Sequence, residues 1–335
     1  MAEPTRVALA LGGGGARGYA HIGVIEVLEE HGCQIVDIAG TSMGALVGGL
    51  YAAGKLDGYT DWVTGLTQRD VLRLLDPSLK APGVIRADKI LARVTDLLDG
   101  AVIEDLPISF TAVATDLLAR KEVWFQRGPV DVAIRAAIAL PSFITPVMLN
   151  GRLLADGGLM NPIPIAPTAA SNADATVAVS LAGDLQGPSG RTPAQESSEP
   201  RPSEEWFDRF RRTATHVLDR DLVRLVTSRL VPGRSTTPGN AAEEVKEELP
   251  QTLVDEPVFG TLPTGLRMLD VMELSLDAMQ GLVTRYRLAA YPPDLLISVP
   301  KEACRTVDFH KATEMIALGR ELAAEALDRR PLPGS

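Results

Sequence analysis

Residues 40–44 read Gly-Thr-Ser-Met-Gly, and this pentapeptide joins two segments of opposite character. The preceding residues 35–39 (IVDIA) are typical of a short buried strand, whereas residues 45–53 (ALVGGLYAA) suit a tightly packed helix. A G-x-S-x-G sequence at such a junction is typical of a nucleophile elbow, where small residues permit a sharp turn and the serine stands exposed at the helix N-terminus. Ser42 is therefore a candidate nucleophile, although a glycine-rich turn with Thr41 or Ser42 as a helix cap would give the same pattern.

A second glycine cluster lies near the start of the chain, at residues 12–18 (GGGGARG). Residues 6–11 (RVALAL) predict a first buried strand before it, and residues 19–31 predict a helix after it. Amide groups in a loop that leads into a helix can stabilise an oxyanion as readily as a phosphate. Arg17 within this loop either holds the loop in place or meets an anionic head group.

The same loop contains the dinucleotide fingerprint G-x-G-x-x-G, at Gly13, Gly15 and Gly18. That alternative is disfavoured because the next strand runs into the serine elbow, whereas a dinucleotide site has an acidic residue at the strand end. A phosphate-binding P-loop is disfavoured as well, because no Lys-Ser or Lys-Thr follows the last glycine.

A candidate base follows a predicted β-hairpin. Asn150 and Gly151 form the favoured two-residue hairpin turn, and Asp156 stands at the end of the returning strand. Gly157 and Gly158 carry no side chains, so another segment can approach the carboxylate closely. An aspartate before two glycines is more often a turn residue, but its occurrence with the elbow and the glycine loop favours a catalytic role.

Together these motifs resemble those of patatin-like phospholipases, in the same order and with the same wide separation. The resemblance covers residues 6–181 and resumes over residues 294–319. It implies an α/β fold, a three-layer α/β/α sandwich with a mostly parallel central sheet. It also implies that the protein hydrolyses lipid acyl esters without calcium or another cofactor. The site residues that it implies are a Ser42 nucleophile, an Asp156 base and an oxyanion hole from the backbone of Gly13, Gly14 and Gly15.

An aspartate is a weak base for a serine proton, because its ordinary pKa is about 4. A Ser-Asp dyad therefore requires burial that raises the pKa, with the two groups roughly 2.6–3.2 Å apart. Each oxyanion donor is expected to contribute about 3–4 kcal/mol to the lowering of the barrier. Esters and thioesters are the expected substrates, because their leaving groups suit a weak base better than an amide does.

The competing interpretation is an α/β-hydrolase triad, whose chain order is Ser, Asp, His. Of the four histidines only His310 comes late enough, and it lies near a predicted helix start. His21, beside the glycine loop, is interpreted as a loop-packing residue. We therefore favour the dyad over the triad.

Composition limits the class of protein. A chain of 335 residues with 45% hydrophobic content and a formal charge of −10 fits one α/β domain over residues 1–330 and argues against nucleic-acid binding. Cys33 and Cys304 cannot build a disulfide framework, which favours a reducing compartment. Without a signal-peptide pattern or an apolar stretch of spanning length, we expect a cytoplasmic protein, with peripheral membrane contact left open.

Three stretches differ from the rest. Residues 183–203 and 232–256 are rich in Gly, Pro, Ser and Glu and predict mobile surface insertions. Residues 206–230 predict a basic amphipathic helix that either packs on the core, which we favour, or lies on an anionic bilayer. Residues 264–286 predict a helix whose methionine stripe is more typical of core than of a binding surface.

Further elements follow from hydrophobic periodicity and turn signals. These are helices over residues 59–75, 131–140 and 307–327, the last capped by Asp308, and strands over residues 108–115, 122–126, 175–181 and 295–299. The predicted function is a lysophospholipase or phospholipase A activity. The alternatives are a serine esterase or thioesterase with other substrates and a weakly active, membrane-associated regulatory adaptor.

Overall fold

An eight-stranded mixed sheet forms the centre of the computed structural model, which describes residues 3–74, 83–85, 87–183 and 268–333. The strand order is β10-β9-β1-β2-β4-β8-β7, with β5 also paired to β4, and β3 and β6 form a separate two-stranded sheet. Pairing is parallel from β10 through β4 and antiparallel for β5, β8 and β7. The strands are β1 (Arg6–Leu11), β2 (Gln34–Thr41), β3 (Gly83–Ile85), β4 (Ser109–Asp116), β5 (Lys121–Phe125), β6 (Ser142–Ile144), β7 (Val147–Leu149), β8 (Arg152–Asp156), β9 (Ala175–Ser180) and β10 (Leu295–Ser298).

Helices cover both faces of this sheet. Alternate residues of β1 show the arrangement, since Val7, Leu9 and Leu11 belong to the main core while Ala10 packs on the other side. The predicted three-layer α/β/α architecture with a mostly parallel sheet is confirmed. The helices are α1 (Ala20–Glu30), α2 (Met43–Ala52), α3 (Leu56–Thr64), α4 (Gln68–Leu74), α5 (Asp88–Leu98), α6 (Val130–Ala137), α7 (Met268–Ala290) and α8 (Ala312–Arg329).

Among the predicted helices whose bounds differ in the structure, two show the local cause. The one predicted over residues 59–75 is broken, because Gly65 follows α3 and the Thr67 hydroxyl accepts the Asp70 N–H (3.3 Å) as the cap of α4. The last helix, α8, begins only at Ala312, after a 3₁₀ turn. Asp308 does not cap it, and its carboxylate accepts the Arg305 N–H instead (3.3 Å).

Helix α7 corrects the expectation of a buried methionine stripe. The side chains of Met272, Met279 and Leu282 are 53%, 63% and 48% exposed, and Tyr286 is 70% exposed. These positions share one face of the helix, because they recur at spacings close to whole turns. Helix α7 instead buries part of its opposite face, where Thr284 is fully covered.

Several predictions lie outside the described residues or stay untested. The insertions at 183–203 and 232–256 fall in undescribed sequence apart from residue 183, as does the basic helix at 206–230. The single-domain interpretation therefore stays a prediction, although every described residue belongs to one compact unit. Both cysteines are buried free thiols, and no described helix is long and apolar enough to cross a bilayer.

Candidate active site

Ser42 occupies a sharp turn between β2 and α2, as the elbow motif predicts. Its backbone has φ 55° and ψ −124°, a conformation that residues other than glycine rarely adopt. A Cβ on Gly40 would lie 2.3 Å from the Gly44 carbonyl oxygen, and one on Gly44 would lie 2.1 Å from the Leu11 oxygen. Only glycine at both positions lets the helix cross the strands this closely.

The strain at this turn gives a stability prediction. Relative to Ser42→Ala, which keeps the side-chain clash with the backbone, Ser42→Gly is expected to raise the free energy of unfolding by about 1 kcal/mol. This value is strain relief of about 1–3 kcal/mol less about 0.5–1 kcal/mol of added chain entropy. Urea unfolding of the two variants measures the difference, and a less stable glycine variant would contradict the strain.

The glycine loop lies against this elbow. A Cβ on Gly13 would be 3.1 Å from the Ser42 Cβ, so a side chain at position 13 would crowd the elbow. In this conformation the Gly13 N–H donates to the Pro162 carbonyl (3.0 Å), which departs from its predicted role as an oxyanion donor. The N–H groups of Gly14 and Gly15 have no acceptor among the described residues, so these two donors are available.

Buried polar side chains hold the loop in this shape. The Arg17 guanidinium donates to the carbonyl oxygens of Leu181 (3.1 Å), Lys301 (3.3 Å) and Cys304 (3.1 Å), so Arg17 fixes the loop and does not face solvent. The His21 Nε2 lies 2.8 Å from the Gly12 carbonyl oxygen and therefore carries the proton. Burial lowers the pKa of His21 to about 4, which keeps the imidazole neutral.

The sheet register brings Asp156 to the elbow. Thr41 of β2 pairs with Val113 of β4, and the next residue of β4, Ala114, pairs with Asp156. Ser42 and Asp156 therefore meet across the end of β4, although 114 positions separate them in sequence.

The Asp156 carboxylate is placed and polarised by its surroundings. It is 2% exposed, and its Oδ1 accepts the Gly158 N–H (2.7 Å). Burial raises the pKa of Asp156 to about 6, and the opposing effects of the Ser42 hydroxyl and the Gly158 N–H are smaller. Oδ2 is buried and has no hydrogen-bond partner of normal geometry, so the contact with Ser42 is looser than a closed hydrogen bond. No histidine bonds to Asp156 among the described residues, and His310 lies in the 3₁₀ turn before α8.

An apolar cavity opens beside Ser42. Ile144 lines it, whereas Val147 does not, and the Phe143 side chain is outside the described set. Sequence reasoning missed Trp62 and Phe309, which come from α3 and from the turn before α8. No local pattern marks them, because only the fold brings those segments together.

Polar residues behind the Asp156 loop were also missed. Glu122 bonds to Asn161 and Arg287, while Gln280 and Arg287 donate to backbone carbonyls of this loop. The only sequence signal is that Gln280 and Arg287 fall seven residues apart, on one face of α7.

Similarity to known proteins identifies the family of this chain. The model of the patatin-like phospholipase family matches residues 9–169, a range that contains all three motifs. An NTE family protein of Mycobacterium bovis is 49% identical over 335 residues, covering 96% of this chain and 91% of the relative. This chain belongs to the patatin-like phospholipase family. Family membership supports hydrolase activity on lipid esters.

More distant similarities are confined to part of the relative. Patatin-like phospholipase domain-containing protein 7 of Mus musculus is 29% identical over 54% of this chain, which corresponds to 14% of its own length. The crystal structure of VipD from Legionella pneumophila aligns with this chain at 14% identity and a TM-score of 0.48. The alignment covers 98% of this chain and 67% of the VipD chain.

Proposed function

We propose that this patatin-like protein is a lysophospholipase or phospholipase A type hydrolase in which Ser42 is the nucleophile and Asp156 the base. One observation carries the proposal: a buried aspartate with a raised pKa adjoins a strained serine at an apolar cavity. Perturbed carboxylates that face a nucleophile in a cleft are typical of catalytic sites.

The proposed reaction uses the two groups in both half-reactions. Asp156 accepts the proton as the Ser42 Oγ attacks the ester carbonyl, and it returns that proton to the leaving alcohol when the tetrahedral intermediate collapses. Water then attacks the acyl-serine, again losing its proton to Asp156, and the fatty acid leaves as Ser42 is regenerated. The Gly14 and Gly15 N–H groups, with the Met43 N–H at the start of α2, are the proposed oxyanion donors.

The shape and chemistry of the cavity favour a long acyl chain. Apart from Ser42 and the backbone of the glycine loop, its walls are largely aliphatic and aromatic, with Leu46, Trp62 and Phe309 among them. Burial of apolar surface stabilises binding by about 25 cal/mol per Å², so each additional methylene in the cavity strengthens it.

A lipid panel tests the proposal. Purified protein is incubated with lysophospholipids, diacyl phospholipids and soluble short-chain esters, and a fluorophosphonate probe maps the reactive serine by mass spectrometry. Release of long-chain fatty acid and an adduct at Ser42 support the proposal. Turnover of soluble esters alone would favour a general esterase or thioesterase, and absence of both turnover and adduct would favour an adaptor.

Peripheral membrane contact is a further part of this proposal. The side of α7 that carries Met272, Met279, Leu282 and Tyr286 is exposed, while the opposite side of the helix bonds the loop after Asp156. An apolar helix face beside the site suits insertion into the surface of the lipid aggregate that holds the substrate.

Charge introduced on this face should therefore weaken lipid binding. We expect Met279→Glu with Leu282→Glu to reduce flotation with phosphatidylcholine–phosphatidylglycerol vesicles several-fold, because charged groups oppose insertion. Turnover of a soluble ester should stay near the wild-type rate. Replacing Leu118, which is 69% exposed on a β-turn, by Glu is the matched control. Equal flotation of the double variant and this control would exclude α7 as the contact.

A further inference from the structure

Helix α7 contacts the loop after Asp156 through two polar side chains. The Gln280 Nε2 donates to the Gly158 carbonyl (2.9 Å), and the same glycine gives its N–H to the Asp156 Oδ1 (2.7 Å). Arg287 donates to the Met160 carbonyl (3.3 Å) two residues further along. The helix therefore contacts the 3₁₀ turn Gly157–Leu159 at its middle residue and at the residue that follows it.

Glu122 of β5 connects these contacts to the elbow. Its carboxylate pairs with Arg287 and accepts a hydrogen bond from the Asn161 Nδ2 (2.9 Å). The carbonyl of Asn161 in turn accepts the Thr41 hydroxyl (2.9 Å), and Thr41 directly precedes Ser42. Two routes of hydrogen bonds thus run from α7, one through Gly158 to the Asp156 carboxylate and one through Glu122 and Asn161 to Thr41 beside Ser42.

We infer that Gln280 and Arg287 are positioning residues that fix the Asp156 loop, an inference that rests on the proposed function. The loop needs such support, because Gly157 and Gly158 have little conformational preference of their own. Gly158 is held on both sides, and loss of the Gln280 contact frees the glycine whose N–H orients the carboxylate. The Arg287 contact is charge-assisted, and a hydrogen bond of that kind is stronger than one between neutral groups, such as the Gln280 contact.

The amphipathic pattern of α7 supports this inference. Surface helices normally bury an apolar face, but α7 exposes Met279 and Leu282 and turns Gln280, Thr284 and Arg287 inward. The contacts to the catalytic loop account for a polar face in this position.

Other charges near the loop do not set the acidity of Asp156. The pKa of that carboxyl follows burial, the Ser42 hydroxyl and the Gly158 N–H. The charged residues with described side chains on the elements around β8 and its loop are Asp116 of β4, Lys121 and Glu122 of β5, Asp131 and Arg135 of α6, and Asp277, Arg285 and Arg287 of α7. Because the Gly158 N–H is one of the causes of this pKa shift, a change in that hydrogen bond is expected to move the pKa.

The test compares Gln280→Leu with a control on the same helix. We expect Gln280→Leu to lower kcat on a soluble ester about tenfold with KM nearly unchanged. The acidic limb of the pH profile should move upward by about half a pH unit, because a weaker Gly158 hydrogen bond favours the protonated carboxyl. Asp277→Asn, which removes the exposed ion pair to Lys301, should change neither value. Arg287→Met should also lower kcat, and Arg287→Lys should recover part of it.

A readout independent of turnover separates this inference from the proposed function. The Asp156 carboxyl is titrated by ¹³C NMR, with Asp156→Asn to assign its signal, and the midpoint should rise in Gln280→Leu. An unchanged midpoint and an unchanged acidic limb would overturn the positioning role even if the wild type is active. A raised midpoint in a protein that turns over no ester would sustain the positioning role and reject the hydrolase proposal.

Discussion

Ser42→Ala is expected to lower kcat for ester hydrolysis by on the order of 10⁴-fold, because it removes the only atom that forms the proposed acyl-enzyme. Residual turnover above the uncatalysed rate would come from the Gly14 and Gly15 amides and from substrate binding in the apolar cavity. KM should change little, since the hydroxyl contributes mainly to the transition state. The measurement is steady-state release of long-chain fatty acid at equal concentrations of the two proteins.

The loss must come from chemistry and not from unfolding. Alanine at position 42 keeps the same backbone requirement as serine, so the free energy of unfolding should stay within about 0.5 kcal/mol of wild type. Ser171→Ala, in the turn before the amino end of β9, is the matched control and should keep full activity. A Ser42→Ala protein that is folded and still turns over substrate at a substantial rate would exclude Ser42 as the nucleophile.

The elbow and the strands around it could be predicted because their signals are local. Residues 40–44 encode their own turn, and the apolar runs on either side have the length and composition of a strand and a helix. The hairpin before Asp156 was predictable for the same reason, since Asn150 and Gly151 both adopt the positive φ that the turn requires. What local signals could not give is the distance between the two motifs, which depends on the pairing of β4 with β2 and β8.

Long-range contacts also explain the parts of the site that the sequence concealed. The apolar spacing of α7 indicated a buried stripe, yet the fold exposes Met279 and uses Gln280 and Arg287 as inward contacts. Gly13 lies in the expected loop, but the carbonyl of Pro162, 149 positions away, takes its N–H. Periodicity describes which face of a helix is apolar, but the partner that covers a face is set by tertiary structure.

Asp156→Asn is expected to lower kcat by about 10³-fold near pH 8, because an amide cannot accept the Ser42 proton. In the wild type, kcat/KM should rise with pH through about 6, the value to which burial raises the pKa of Asp156, since only the carboxylate is a base. His310→Ala should cleave esters at nearly the wild-type rate, because no histidine takes part in the dyad. Equal losses in His310→Ala and Asp156→Asn would favour the Ser-Asp-His triad instead.

The same substitution should change stability in the opposite direction. The pKa of Asp156 is about 6 in the folded protein, above the ordinary value of about 4. Between these two pH values the folded state keeps a proton that the unfolded state has released. Stability therefore falls as the pH rises from about 4 to about 6. An asparagine side chain carries no such charge, so we expect Asp156→Asn to be more stable than wild type near pH 8 by on the order of 1–3 kcal/mol, with the difference vanishing below about pH 4. Urea unfolding at several pH values measures this difference.

The control is Asp174→Asn. The Asp174 carboxylate is exposed and accepts the Arg6 N–H (2.8 Å), so this variant should show no such gain in stability. An inactive Asp156→Asn protein with no stability gain at high pH would mean that the carboxylate is not held in the dry environment on which its role as a base depends.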